Sequence, residues 1–278
     1  MVSGICSQGF SQNKSGETLP GGAIKLEYNY PSDKTISYLN VSKIIQVMDI
    51  QGQSIQANVN AVFGCTIKAI GKQERNLKLE IQTDTIGQLV DSPQGALGGS
   101  VKEVQGKVFN IIITPEGKVV DISEAEKIVY NIEGIGETNA SQTFLDYFPV
   151  LPTGTVKPED TWNSTDTVSG KTPAMSVKMV VNSNNKLEGI EKIDGIECAR
   201  ISSVLNGTRT VSTQTQGMDI YTTGSFTGTG TLFFAVKEGY FIRQIIITKM
   251  TGKMEITGPQ NMSFPLVMDM TSVNEVKK

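Results

Sequence analysis

The chain has 278 residues and a net charge of −3, from 25 basic and 28 acidic side chains. That leaves no basic surplus for counterion release on nucleic acid, and the longest basic run is Lys277-Lys278. Histidine is absent, which removes the commonest general base, the commonest zinc ligand and the usual pH switch.

Hydrophobic residues make up 38% and charged residues 19%, and Gly, Thr, Ser, Asn and Gln fill the balance. That mixture suits long β-strands with one wet face and suits helical bundles poorly. No stretch reaches the roughly 20 apolar residues of a membrane helix. Aromatic residues, at 6%, are thin for the girdles of a membrane barrel.

Residues 1–22 read as a flexible leader, the small-residue tail of an export signal without its charged region or full apolar core. Cys6 follows Ile5, where a lipoprotein signal wants Gly or Ala, so lipidation there is a weak option. From Ile24 the pattern turns to β. In the segment 55–67, Ile55, Ala57, Val59, Ala61, Phe63, Cys65 and Ile67 share one face. Leu77, Leu79 and Ile81 alternate with polar neighbours in the next strand. Residues 91–100 read as a Gly/Ser-rich loop. Segments 104–113 and 118–122 form a hairpin around Pro115-Glu116-Gly117, where Pro fixes φ and Gly accepts a positive φ.

Segments 123–130 and 141–148 read as short helices, the first with Ser123 and Glu126 spaced as a capping box. LPTGTVKPEDTW then leads into a second β region that echoes the first. Glu116-Gly117 matches Glu238-Gly239 at an offset of 122, which also lays 77–81 over 199–203 and Gly106 over Gly228. Residues 242–256 and 262–270 finish the sheet, with Met262, Phe264, Leu266, Met268 and Met270 on one face. Pro265, on the other face, marks an edge or a bulge. The expected fold is therefore mainly β: long antiparallel strands in one or more curved sheets, as two tandem related halves (23–148 and 149–278) with one or two short helices between them.

No chemical motif stands out. Cys6, Cys65 and Cys198 form no C-x-x-C pair; a Cys65–Cys198 disulfide and a free buried thiol at Cys65 are both open readings. Glu116 and Glu238 sit in turns, as hairpin chemistry rather than a glycosidase pair. The GSFTGTGT run from Gly224 precedes a strand, so it lacks the helix N-terminus a phosphate loop uses. Six N-x-S/T triplets, at Asn13, Asn40, Asn139, Asn163, Asn206 and Asn261, are glycosylation acceptors only if the cell glycosylates exported proteins.

In the phrase LPTGTVKPEDTW, Pro152, Val156, Asp160 and Trp162 match the recurring P-x-x-x-V-x-x-G-D-x-W, with Glu159 in place of Gly. On this phrase and PEGKVVDIS, the chain resembles an uncharacterised family of exported tandem-β proteins and lipoproteins of Bacteroidetes-type bacteria. In architecture it is distantly similar to the periplasmic lipoprotein-carrier fold, a curved sheet with helices inside. The resemblance implies class and compartment (periplasm, outer-membrane surface or extracellular) and no assigned activity.

The expectation is a non-enzymatic envelope protein that binds a lipid, acyl chain or other apolar small molecule. It needs no catalytic residues, metal or cofactor and has no nucleic-acid partner and no membrane span. The candidate ligand-binding residues are Phe144, Tyr147 and Phe148 of the aromatic segment, the lone Trp162, and Met262 and Met268 of the methionine-rich end. The alternative is a structural or adhesive surface protein that self-assembles. The oligomeric state is left open.

Overall fold

The computed structural model describes residues 22–132, 136–172, 175–215, 218–258 and 261–277. The expected leader (all but Gly22), Cys6 and Asn13 lie outside them. A short strand, β1 (Ile24–Lys25), precedes β2 (Ile36–Ile50), β3 (Gln53–Gln73), β4 (Asn76–Ser92), β5 (Gly95–Ser100), β6 (Val108–Ile113) and β7 (Val119–Asp121). The one-turn helix α1 (Ser123–Glu126), β8 (Val129–Ile132), β9 (Gly136–Asn139), a second one-turn helix α2 (Ser141–Phe144) and β10 (Thr155–Val156) follow. Six long strands complete the chain: β11 (Thr161–Lys171), β12 (Met175–Ile193), β13 (Ile196–Thr215), β14 (Met218–Ala235), β15 (Tyr240–Thr257) and β16 (Met262–Val276).

The long strands form one curved antiparallel sheet in the order β11-β12-β13-β14-β15-β16-β2-β3-β4-β6-β7, with β5 also on β4. The two halves therefore share a sheet. The last strand, β16, pairs with β2 from Leu266 to Val276, Val273 opposite Val41. Period-two alternation explains the strands directly. In β3 the seven residues from Ile55 to Ile67 do share a face, and Phe63, Cys65 and Ile67 are buried.

Outward-facing residues on β11–β14 are mostly Thr, Ser and Asn, such as Thr165, Asn182, Asn206 and Thr227 in one cross-strand row. That is a water-facing surface rather than the apolar band of a bilayer-facing strand. No helix among the described residues is long and apolar enough to cross a membrane.

Equivalent features recur in the two halves. Gly71 and Gly189 take the same extended positive φ, 149° and 151°, each at a register shift in its strand pair. Glu74 and Asp194 take φ of 56° and 50° in the turns that follow. Gly117 and Gly239 take φ of 94° and 73° in the next turns. From the first pair to the third the offset grows from 118 (71 to 189) through 120 (74 to 194) to 122 (117 to 239). The second β-hairpin is thus four residues longer than the first. β14 occupies in one piece the place that β5 and β6 share on β4.

The entry segments match too: LPGGAIKLEYNY from Leu19 parallels LPTGTVKPEDTW from Leu151. Their short strands pair with each other, Ile24 opposite Val156. Both equivalent turns clasp the first entry segment. Tyr28 N–H donates to the Pro115 carbonyl and Asn29 N–H to the Gly239 carbonyl, each at 2.7 Å.

Several local expectations are corrected. Residues 91–100 are the tip of a β-hairpin, because β4 runs to Ser92 and β5 pairs back onto it from Gly95. Both helices are a single turn, and residues expected to prolong the first form β8 instead, since Val129–Ile132 alternates in burial. The capping box does not form. The helix is entered from Ile122 with no side-chain cap, and Glu124 instead accepts from Asn110 N–H at 2.9 Å and from its side-chain amide. Cys65 and Cys198 are free and buried. Asn40 donates to Ser272 Oγ on the inner face and Asn139 is buried, so neither sequon side chain is open to a glycosyl donor. Pro265 lies where β16 has passed the end of its pairing with β2, which begins at Leu266, so its missing N–H breaks no ladder on that side.

Candidate functional site

The concave face of the sheet divides into three zones, read from strand register. The first is an aromatic core. The segment Leu26–Tyr30 and the stretch Phe144–Leu151 enter the curl here and fill it. Phe144 stacks edge-on with Phe63 and Phe109 at 5.4 and 5.5 Å, and packs on Tyr147 at 4.9 Å. Tyr28 meets Phe148 and Phe234 edge-on. Hydroxyls are satisfied internally: Tyr28 to the Pro149 carbonyl, Tyr38 to the Phe241 carbonyl, and Tyr30 against Tyr38. Burial pushes the Tyr28, Tyr30, Tyr38 and Tyr147 phenols well up. It pushes the Cys65 thiol up to about 12, against a lowering hydrogen bond with the Tyr147 hydroxyl at 3.4 Å. Such a thiol is inert, which argues against nucleophile chemistry at Cys65.

The second zone is a polar belt. Asn40, Ser42 and Ser272 bond to one another, and Asn274 accepts from Tyr147 Oη at 3.4 Å. Across the curl, Ser203 donates to Asn185, which donates to Ser183, which bonds Ser164 at 2.7 Å. These small polar side chains satisfy each other, so the belt is a spacer rather than a reactive centre.

The third zone is apolar again. One transverse row runs Val181, Gly207, Phe226, Met250, Met268, Gln46. The next runs Met179, Arg209, Gly224, Gly252, Leu266, Met48. Phe226, Met250 and Leu266 form a second buried cluster, separate from the aromatic core, with Met48, Met179, Val181 and Met268 packed on it. These residues come from five strands, β2, β12, β14, β15 and β16. β12 and β2 are five places apart in the sheet, so the sheet must curl tightly to bring Met179 and Met48 to one cluster. Glycines at 207, 224, 228, 230 and 252 strip side chains from the inner face along this part of the curl.

One cation sits in this zone. Arg209 lies on the inner face between Met179 and Gly224 and makes no direct hydrogen bond or ion pair with any described residue. Its electrostatic partner is Asp146, which follows α2. Burial pushes the Asp146 carboxyl up while Arg209 and the residue's own N–H pull it down. Burial lowers the Arg209 guanidinium while Asp146 raises it. Asp146 itself is exposed, so the pair meets solvent on its side rather than dry core. In the same segment, Gln142 Oε1 is buried with no hydrogen-bond partner among the described residues.

Of the six residues expected from sequence, Phe144, Tyr147 and Phe148 come together, as solid core at the first zone. Trp162 packs half-buried on that core from β11. Met268 joins the second cluster. Met262 stands at the tip of β16, 40% exposed and apart from it. Sequence reading missed Arg209, Asp146, Met48 and Met179. Arg209 carries a sequence signal: it is a lone charge at an inward position of an otherwise regular strand.

A cleft of about 270 Å³ lies apart from the methionine cluster, lined by Lys34, Ser37, Asp194, Tyr240, Ile242 and Lys277 among others. No group of three Cys, Asp or Glu side chains among the described residues is placed to hold a metal ion.

No family model matches the chain, and no curated protein matches it. Among solved structures it is similar to Pseudomonas aeruginosa OccK2 (OpdF) in complex with glucuronate, at 6% identity over 90% of this chain and 100% of that one, with a TM-score of 0.29. It is also similar to a DUF1329 family protein from Desulfovibrio piger (12% identity, 86% and 85% covered, TM-score 0.17) and to Pseudomonas putida OprB (7%, 87% and 94%, TM-score 0.15). Scores this low relate neither fold nor function to this chain.

Proposed function

We propose that this is a non-enzymatic, exported envelope protein that holds a hydrophobic ligand, a lipid or acyl chain, in the methionine end of its concave face. The observation that carries the reading is the second cluster. It is apolar, lies inside the curl, is separated from the folding core by a polar belt, and is built on methionine. Methionine is unbranched and polarizable, so it repacks around guests of varied shape at low cost. A sheet that needed only to be filled would be served better by the branched and aromatic residues that fill the other end. The export reading rests on the small-residue leader and on the family likeness carried by Pro152, Val156, Asp160 and Trp162.

The test is native mass spectrometry with lipid extraction of the purified protein, followed by titration with a fluorescent fatty-acid analogue. A bound acyl species, or saturable binding that weakens when Met250 and Met268 are both changed to Ser, supports the reading. No bound lipid and no saturable binding sinks it.

The self-assembly reading has one observation in its favour: β11 ends the sheet, with eleven residues of edge strand. Sedimentation that finds only monomer at all concentrations removes it.

A further inference from the structure

The two rows of the methionine end contain a trough. In the row that holds Arg209, the next two inward positions across the sheet are Gly224 and Gly252, which face each other in register. They leave a floor without side chains. One wall is Phe226 and Met250, on the same strands. The other is Thr222 and Met254, again cross-strand partners. Leu266 and Met48 continue the floor beyond Gly252.

Arg209 stands at the opposite end, its guanidinium in no direct hydrogen bond or ion pair with a described residue and Asp146 its electrostatic partner. The Met250 methyl leans over the floor, 2.9 Å from where a Cβ on Gly224 would sit. Turning that flexible side chain aside would uncover the floor, whose limit is then the backbone of the neighbouring strand, with the Thr251 carbonyl 2.6 Å and the Gly252 Cα 3.1 Å from the same point.

Resting on the reading above, we infer that the ligand is a single-chain amphiphile with an anionic head, its head on Arg209 and its chain along the Gly224–Gly252 floor toward Leu266 and Met48. The span from Arg209 on β13 to Met48 on β2 is four strand spacings, roughly 19 Å on a flat sheet and less on a curled one, which suits a chain of about a dozen carbons or more. A guanidinium recognises a carboxylate, sulfate or phosphate head through paired N–H donors, and a low-dielectric surround strengthens that contact. Asp146 is then the counter-ion that the head displaces.

The test is calorimetric titration of the whole chain with three probes of equal chain length: dodecanoate, 1-dodecanol and dodecyltrimethylammonium. Dodecanoate should bind roughly tenfold or more tightly than either of the others, the worth of one charged hydrogen-bonded contact. Arg209→Gln should bring dodecanoate down to the dodecanol level and leave dodecanol unchanged. Asp146→Asn, which removes the competing carboxylate, should tighten dodecanoate several-fold. Equal binding of all three probes by the unmodified protein, or a dodecanoate preference that survives Arg209→Gln, overturns the head-group assignment while the apolar site stands. Should none of the three bind, the site itself is refuted together with this inference. The probe comparison on the unmodified protein and the Asp146→Asn arm keep the test decisive even if Arg209→Gln does not fold.

Discussion

The two apolar ends of one concave face are built from different materials. At the core end, Tyr28, Tyr38, Phe144, Tyr147, Phe234 and Phe241 interlock with defined ring geometry, and the Tyr28 and Tyr38 hydroxyls bond to fixed backbone carbonyls. At the other end, Met48, Met179, Met250 and Met268 gather around Phe226 and Leu266, with Arg209 in register beside Met179. Aromatic rings have few rotatable bonds and bury large areas, so they specify one arrangement. Methionine has three rotatable bonds and specifies little. The contrast separates the part of the sheet that holds the fold from the part free to do something else.

Five measurements would break or sharpen that contrast. Phe144→Ala should have the largest effect, a loss of about 3–5 kcal/mol in urea unfolding, since the ring is fully buried among other rings. Gly117→Ala should cost about 2–3 kcal/mol in the same measurement. Its φ of 94° is unfavourable for alanine, and the added Cβ would meet the Tyr28 ring at 2.5 Å and the Pro149 carbonyl at 2.8 Å.

Alkaline titration should also weaken the core end. The Cys65 thiol is pushed up from 9.0 to about 12 in the folded chain, so above pH 9 the unfolded state sheds that proton while the folded state keeps it. Unfolding is then favoured as pH rises, and the raised tyrosines add in the same direction. The urea midpoint should fall steadily from pH 9 toward pH 12, and a thiol reagent should label Cys65 only on unfolding. A midpoint flat over that range would mean the thiol is not buried as described.

Met250→Leu should cost less than about 1.5 kcal/mol yet measurably change binding of an apolar probe, because the cluster tolerates the volume but loses the flexible methyl over the trough. If the same change costs as much as Phe144→Ala, the methionine end is ordinary core. Arg243→Ala should have the smallest effect, under about 1 kcal/mol, because its pair with Glu275 at 2.6 Å is exposed on the convex side.

The strands were legible because alternation survives wherever one face is wet. Ile55 to Ile67 shows this, as does the recurrence of Glu-Gly turns. The site was only half legible. The aromatic run Phe144–Phe148 drew attention because bulky rings are conspicuous, yet the fold spends them on the core. Met268 was reached through its clustering with other methionines near the carboxyl end. Met48 and Met179 were not, because each is alone in its segment and joins the others only across the curl. Helix lengths were overread for a local reason: Val129–Ile132 has a partner strand that no local pattern announces.

The sequence by itself determined the class of this protein: antiparallel strands with known inward faces, turns at Gly117 and Gly239, and no histidine chemistry. These follow from side-chain alternation and backbone sterics, which act between near neighbours. Tertiary structure decided that the two halves share one sheet, that the entry segment threads between equivalent turns, and that Arg209 faces a glycine-floored trough. Those outcomes depend on how tightly the sheet curls and which distant strands meet, and pairings of high sequence separation leave no trace in local periodicity.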